Sequence, residues 1–157
     1  MWCFMRISGE CRWPRVAWAA AGADAGQREQ MMDWKIELIS VPVTDVDRSK
    51  DFYVKIGFNA DHDHVPYEGL RFVQMTTPGS ACSIAFGTGI GGGLEAGQQD
   101  SIQVVVPDAD AALAQLRDAG VEADGVDEQA WGRFVTFHDP DGNTWTLQQL
   151  PDYSAAD

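Results

Sequence analysis

The sequence predicts an α+β fold in which two tandem βαβββ modules form a curved mixed sheet around a cleft. The main observation is an internal repeat, because VPVTDVDRSKDFYV at residues 41–54 is answered by VVVPDADAALAQLR at residues 104–117. A second repeat supports it, since the tripeptide Arg-Phe-Val occurs at residues 71–73 and again at residues 133–135. Neither half is large enough to bury its own apolar face, so the two copies are expected to pack on one another.

The first module has the predicted order β-α-β-β-β. Apolar side chains alternate along residues 34–43, which is typical of a strand. Asp45 is placed to cap a helix that runs to about Phe58, near Gly57. Residues 59–69 are rich in turn formers and are consistent with either a strand or a loop. The last two strands of this module are predicted at Leu70–Thr76 and Cys82–Phe86.

A glycine-rich connector at residues 87–100 leads to a second module of the same order. The connector contains the pattern G-x-G-x-x-G, but no good helix start follows it, so a dinucleotide site is not expected. The predicted elements of the second module are a strand at residues 101–106, a helix Ala109–Ala119 capped by Asp108, a strand or loop at residues 121–130, and strands Arg133–Phe137 and Asn143–Gln149.

The charge of residues 1–32 differs from that of the remaining chain. These residues carry four basic and three acidic side chains, whereas residues 33–157 carry seven basic and 21 acidic ones, a net charge of −14. We expect residues 1–31 to be a disordered leader or an upstream extension, with a secretory signal as the less favoured alternative. The folded domain is predicted at residues 32–152, with modules at 33–87 and 101–150 and a tail at 153–157.

Charge and composition argue against several classes of partner. A body this acidic is repelled by nucleic acids and by anionic membrane surfaces. No apolar run reaches the roughly 18–20 residues that a membrane span requires. Cys3 and Cys11 lie in the leader and Cys82 stands alone in the body, so no disulfide framework is expected. The reducing cytoplasm is therefore the expected location.

Two motifs of the body resemble a known family. The first is V-x-D-V-D-R-S-x-x-F-Y at residues 43–53, followed by Gly57 and Phe58, and the second is F-x-D-P-D-G-N at residues 137–143. Together with the tandem βαβββ pattern, they resemble the vicinal oxygen chelate superfamily over about residues 33–150. That superfamily includes glyoxalase I, fosfomycin-resistance enzymes, extradiol dioxygenases and bleomycin-resistance proteins. The resemblance specifies a fold but not a reaction.

Metal-dependent members of this superfamily bind a divalent ion through four strand positions, two in each module. The resemblance places these positions at Leu38, Ala85, Ser101 and Thr146, none of which is a usual ligand. We therefore expect no metal and no other cofactor. A displaced metal site at His62 and His64, which alternate along a strand and share a face, is the weaker alternative.

The predicted cavity wall consists of the strand residues that alternate with the helix-facing ones. This wall is neutral, with hydroxyl, amide and aromatic groups, and suits a partly apolar ligand that forms hydrogen bonds. Its predicted residues are Ser40, Phe72, Gln74, Ser83, Gln103, Trp131, Phe134, Thr136, Thr146 and Gln148. His138 is a weak candidate for a catalytic acid or base.

Three functions remain open at this stage. The first is metal-independent binding of a small organic molecule, similar to the bleomycin-resistance type. The second is a metal-dependent lyase, isomerase or dioxygenase of the same superfamily with a displaced metal site. The third is a structural or regulatory subunit whose cleft is filled. A homodimer is expected in each case, because every module leaves unpaired sheet edges that a second copy of the chain can cover.

Overall fold

The computed structural model describes residues 34–90 and 93–152. The predicted leader at residues 1–31 and the predicted tail at residues 153–157 lie outside the described residues. The compact unit that contains both modules begins at Ile36. No helix in the described part of the chain is long and apolar enough to cross a membrane.

Eight strands and two helices make up the two modules, which confirms the predicted α+β class. The first module contains β1 (Leu38–Ser40), α1 (Val46–Lys55), β2 (Asn59–Tyr67), β3 (Leu70–Thr76) and β4 (Ser83–Thr88). The second contains β5 (Ile102–Val105), α2 (Ala109–Asp118), β6 (Asp127–Gln129), β7 (Gly132–His138) and β8 (Thr144–Gln149).

Each module forms its own open, mixed sheet of four strands. Sheet A has the strand order β1-β4-β3-β2, and sheet B has the equivalent order β5-β8-β7-β6. In each sheet the first strand runs parallel to its neighbour, and the other neighbours are antiparallel. β1 and β5 are therefore edge strands, as are β2 and β6.

Both helices begin at the predicted caps. The Asp45 carboxylate accepts a hydrogen bond from the Arg48 amide at 3.0 Å, and Asp108 accepts one from the Ala111 amide at the same distance. α1 ends three residues before the predicted Phe58, because Gly57 adopts a left-handed conformation with φ of 107°.

β1 is shorter than the predicted strand. Pro42 follows it after one residue and has no amide to donate to a ladder, so regular pairing with β4 ends at Ser40. The Val41 amide still donates to the Ala85 carbonyl at 2.9 Å, and Val41 is buried in the core as the alternation predicts.

The two sheets share one hydrophobic core. Val73, Ile84 and Phe86 of sheet A lie in the same buried cluster as Val135 and Trp145 of sheet B. The Tyr53 ring of α1 connects them, because its centroid lies 5.5 Å from that of Phe86 and 5.7 Å from that of Trp145. Since both sheets turn their helix-covered side towards this core, the opposite side of each sheet faces away from it; Ser83, Ala85 and Gln148 on these sides are nevertheless buried.

The turn at residues 139–143, which joins β7 to β8, links the two modules by hydrogen bonds. Asp139 is 5% exposed, and its Oδ2 accepts from Tyr53 Oη at 2.7 Å and from Asn143 Nδ2 at 2.8 Å. Its Oδ1 accepts from the amides of Asp141 and Asn143. Burial, followed by the charge of Asp139, raises the pKa of Tyr53, so the phenol keeps its proton and donates it to the carboxylate.

Candidate functional site

Side-chain alternation places the predicted ligand residues on the outward sides of the sheets. In β3 and β4, Val73 and Ile84 point into the core, so Phe72, Gln74 and Ser83 lie on the other side. We call this outward side of sheet A face A; its members include Leu38, Ser40, Asp61, His62, His64, Phe72, Gln74, Thr76, Ser83 and Ala85.

Face B is the corresponding outward side of sheet B. Val135 and Trp145 occupy the core, so Thr136 and Thr146, which are paired across β7 and β8, lie on the outward side. The members of face B are Gln103, Val105, Asp127, Phe134, Thr136, His138, Thr144, Thr146 and Gln148.

A chain of four polar side chains crosses face A. The Gln74 amide contacts the Ser83 hydroxyl at 3.1 Å, and that hydroxyl lies 2.7 Å from Thr76 Oγ1. Thr76 in turn donates to an Asp61 carboxylate oxygen. Asp61 reaches this face because a bulge in β2 separates Ala60 from His62 in the pairing with β3. This chain fixes the wall residues Gln74 and Ser83 against one another.

Both histidines of β2 also lie on face A. His62 is paired with Gln74, and His64 is paired with Phe72, whose ring centroid lies 5.6 Å from that of His64. The two imidazole centroids are 6.2 Å apart. In the described ranges, no group of three or more His, Cys, Asp or Glu side chains is arranged to hold a metal ion. The histidines extend the aromatic surface that Phe72 begins.

A shorter polar chain crosses face B. Gln103 Nε2 donates to Gln148 Oε1, and Gln148 Nε2 donates to the Trp131 carbonyl at 3.1 Å. Trp131 therefore contributes its backbone to this face, while its side chain is 61% exposed in the turn between β6 and β7. His138 lies at the end of β7 with Nδ1 3.3 Å from Thr144 Oγ1.

Within one polypeptide chain, the ten predicted ligand-binding residues fall into two groups. Ser40, Phe72, Gln74 and Ser83 belong to sheet A, and the remaining six belong to sheet B or to the turn that precedes β7. Ser83 and Gln103 do line a common cavity of about 340 Å³ between the modules. Phe72 and Phe134, in contrast, lie on outward sides that the shared core separates.

The four positions that the superfamily uses for metal ligands are near these faces. Leu38 and Ala85 lie on face A, Thr146 lies on face B, and Ser101 directly precedes β5 with a left-handed φ of 62°. None of the four carries an imidazole or a carboxylate. The arrangement is suited to holding an organic molecule by shape, aromatic contact and hydrogen bonds.

The sequence did not reveal that His62 and His64 share a face with the predicted wall. Residues 59–69 show no hydrophobic alternation, because both sides of β2 are exposed. The spacing of the two histidines does narrow their position. Because alternate residues of a strand share one side, a strand beside β3 must place both histidines on the side of Phe72 or both on the side of Val73.

Comparison with known proteins agrees with the architecture. Residues 35–147 match the model of the family described as "Glyoxalase/Bleomycin resistance protein/Dioxygenase superfamily". Among curated proteins, none matches the chain. The chain is similar to the solved structure of TnmS3, an antibiotic binding protein from Streptomyces sp. CB03234, with 34% identity over 77% of this chain and 99% of that one and a TM-score of 0.70.

Two further solved structures are similar. A glyoxalase/bleomycin resistance protein from the same Streptomyces strain is 34% identical over 73% of this chain and 100% of its own, with a TM-score of 0.65. The bleomycin resistance determinant encoded on transposon Tn5 is 19% identical over 76% of this chain and 98% of its own, with a TM-score of 0.56. At that identity the similarity is one of fold alone.

Proposed function

Since this chain belongs to the Glyoxalase/Bleomycin resistance protein/Dioxygenase superfamily, we propose that it binds a small, partly apolar organic molecule without a metal ion. The observation that carries the proposal is the composition of faces A and B, which present amides, hydroxyls and aromatic rings. The positions that metal-binding relatives fill with ligands are occupied by Leu38, Ala85, Ser101 and Thr146. The antibiotic binding protein at 34% identity supports binding, rather than turnover, as the function. The proposed location is the cytoplasm, because of the cysteine pattern given above.

The complete site requires a second copy of the chain. Apart from the cavity that Ser83 and Gln103 share, faces A and B of one chain lie on opposite sides of its core, so most of each face is not covered by the other. In a homodimer, face A of one chain and face B of a second copy enclose the ligand. A closed pocket of this kind buries most of a small ligand, whereas a single open face does not.

The edge strands indicate where the two copies meet. β2 and β6 carry acidic residues, among them Asp61, Asp63 and Glu128, which disfavour edge-to-edge pairing. β2 also exposes Val65 and Tyr67, whereas β1 and β5 expose the apolar side chains of Leu38 and Val105 and carry no charged residue. We therefore propose that β1 of one chain lies beside β5 of the other, which joins sheets A and B across the dimer.

Replacement of Val105 by lysine is expected to convert the dimer into a monomer, because it places a charge at this junction. Val65→Lys is the matched control, since Val65 is also a valine on an edge strand and both side chains are 62% exposed. Sedimentation equilibrium at micromolar concentration measures the outcome. A monomeric wild type, or a Val105→Lys protein that remains dimeric, would contradict the arrangement.

A direct test of binding is thermal unfolding of the full chain in the presence of a panel of aromatic organic compounds. A ligand at a hundred times its Kd adds about 2.7 kcal/mol to the free energy of unfolding, which is readily detected as a raised Tm. The function requires saturable stabilisation by at least one compound. Failure of every compound to stabilise the protein would count against the proposal and favour the filled cleft of a structural subunit.

Addition of zinc, nickel or manganese is expected to give no saturable stabilisation of the chelator-treated protein. Leu38, Ala85 and Thr146 have no donor set for these ions, and two imidazoles alone make a weak site. Tight one-to-one binding that is lost in a His62→Ala variant would instead favour the metal-dependent lyase, isomerase or dioxygenase. Titration followed by differential scanning calorimetry distinguishes the two.

A further inference from the structure

The donor and the acceptor of each hydrogen bond in the polar chain on face A can be assigned by starting from Asp61, at the end of that chain. The Asp61 carboxylate only accepts, so Thr76 uses its hydroxyl proton on Asp61. Thr76 therefore accepts from Ser83, and Ser83 accepts from Gln74 Nε2 at 3.1 Å. This order fixes the orientation of the Gln74 amide. Its carbonyl oxygen, Oε1, has no hydrogen-bond partner among the described residues and lies at the open end of the chain.

The same reasoning applies to face B. The Trp131 carbonyl also only accepts, so Gln148 must turn its Nε2 towards it. Gln148 Oε1 then accepts from Gln103 Nε2, and the Oε1 atom of Gln103 is left without a partner in the part of the chain that the structure describes. Both faces therefore end their polar chains in an amide oxygen that can accept a hydrogen bond from a ligand.

The distribution of charged side chains also favours a ligand that donates hydrogen bonds and is not an anion. The chain has six Lys and Arg residues between positions 36 and 152, and none of them lies on face A or face B. Four are on the helices, and Arg71 and Arg133 are on the core side of their strands. Arg71 is bound to Asp63 and Asp47 there, and with Lys50 it holds the pKa of Asp63 well below its usual range.

The faces themselves carry acidic groups. Asp61 lies on face A and Asp127 lies opposite Phe134 on face B. In a body with a net charge of −14 over residues 33–157, these carboxylates add to a negative potential that attracts cations and repels anions. Phe72 with His64 on one face, and Phe134 on the other, supply aromatic surfaces for a flat ring system.

We infer that the ligand is an aromatic molecule that donates hydrogen bonds, is cationic or neutral, and bears an amino group, and that the site excludes anions. The inference rests on the proposed function, because it specifies the chemistry of the same site. Its basis is the pair of unpaired acceptors, Gln74 Oε1 and Gln103 Oε1, on faces without a lysine or an arginine.

Three probes with one ring system differ in donor capacity and in charge. Proflavine is a cation with two amino groups, acridine is neutral without them, and acridine carboxylate is an anion at about pH 8. Fluorescence titration of the wild-type dimer is expected to give proflavine the tightest binding, by about tenfold over acridine, since a charge-assisted hydrogen bond contributes about this much. Acridine carboxylate is expected to bind more weakly than acridine.

The Gln103→Arg variant reverses the chemistry of face B, because it replaces a free acceptor with a charged donor. Gln103 is exposed, so the longer side chain can be accommodated. The ratio of proflavine to carboxylate affinity is expected to fall by about tenfold or more. Ala114→Arg adds the same charge on an exposed position of α2 and is expected to leave that ratio within about twofold.

The possible results separate the inference from the function on which it rests. Binding of acridine carboxylate as tightly as proflavine, or an equal change of the ratio in both arginine variants, overturns the inference and leaves aromatic ligand binding intact. Absence of saturable binding by all three probes counts against both. If proflavine binds most tightly and acridine carboxylate most weakly, and only Gln103→Arg removes this order of affinities, the result supports both the inference and the proposed function.

Discussion

Replacement of Asp139 by alanine is expected to lower the free energy of unfolding by about 4 kcal/mol, because it leaves several buried donors without an acceptor. These donors are Tyr53 Oη, the backbone amides of Asp141 and Asn143, and one of the two hydrogens of Asn143 Nδ2, which keeps its bond to the Pro42 carbonyl. Tyr53 is fully buried, so water cannot replace the carboxylate there. Urea denaturation followed by circular dichroism measures the change.

Two variants show whether the loss comes from these hydrogen bonds. Tyr53→Phe removes a single donor and is expected to cost about 1–1.5 kcal/mol. Asp118→Ala removes an exposed carboxylate at the end of α2 and is expected to change stability by less than about 0.5 kcal/mol. A loss of less than 1.5 kcal/mol in Asp139→Ala, an approximate limit set by one such bond, would mean that the turn does not hold the modules together.

Replacement of Thr146 by tryptophan is expected to reduce ligand affinity by about a hundredfold or more while the protein remains folded. Thr146 lies on face B in a central strand, between the exposed Gln103 and the half-buried Thr136. The indole therefore extends into the space that the ligand would occupy. The expected cost in stability is below about 2 kcal/mol, within the range observed for overpacking.

Isothermal calorimetry with an aromatic compound that stabilises the wild type measures this loss of affinity. Thr88→Trp serves as the control, because Thr88 is an exposed threonine at the end of β4 and points to the other side of its sheet. Unchanged affinity in Thr146→Trp would remove face B from the site. Failure of that variant to fold would show that the face is already packed, and the binding proposal would lose its physical basis.

The repeat made most of the fold predictable from local patterns. Asp45 and Asp108 cap their helices as expected, since a cap depends only on a short side chain and the amides that follow it. The strand Leu70–Thr76 has the predicted bounds, because Val73 and Met75 on its core side are apolar and buried and its other side is mixed. The sequence of residues 59–69 is consistent with a strand or a loop, and antiparallel pairing with β3 makes Asn59–Tyr67 a strand.

The division of the site into two faces could not be read from local patterns. It depends on contacts between residues far apart in sequence, such as the bond from Tyr53 to Asp139, 86 residues away. The motif F-x-D-P-D-G-N was recognised as a family feature, but its role in holding α1 against β7 and β8 appears only when both modules are present. The alternation of side chains along a strand predicts which residues point away from the core. It does not predict that these residues form two separate faces, because alternation does not specify which sheet lies opposite.

In the proposed dimer, the shared core of the two modules would make ligand binding depend on protein concentration. If the site is completed by a second copy, as proposed, the concentration of complete sites rises with the square of the monomer concentration when the dimer is scarce. By linkage, a ligand that occupies the enclosed site strengthens the association of the two chains. Each symmetric dimer then has two equivalent sites, one at each pairing of face A with face B, and dilution empties both together.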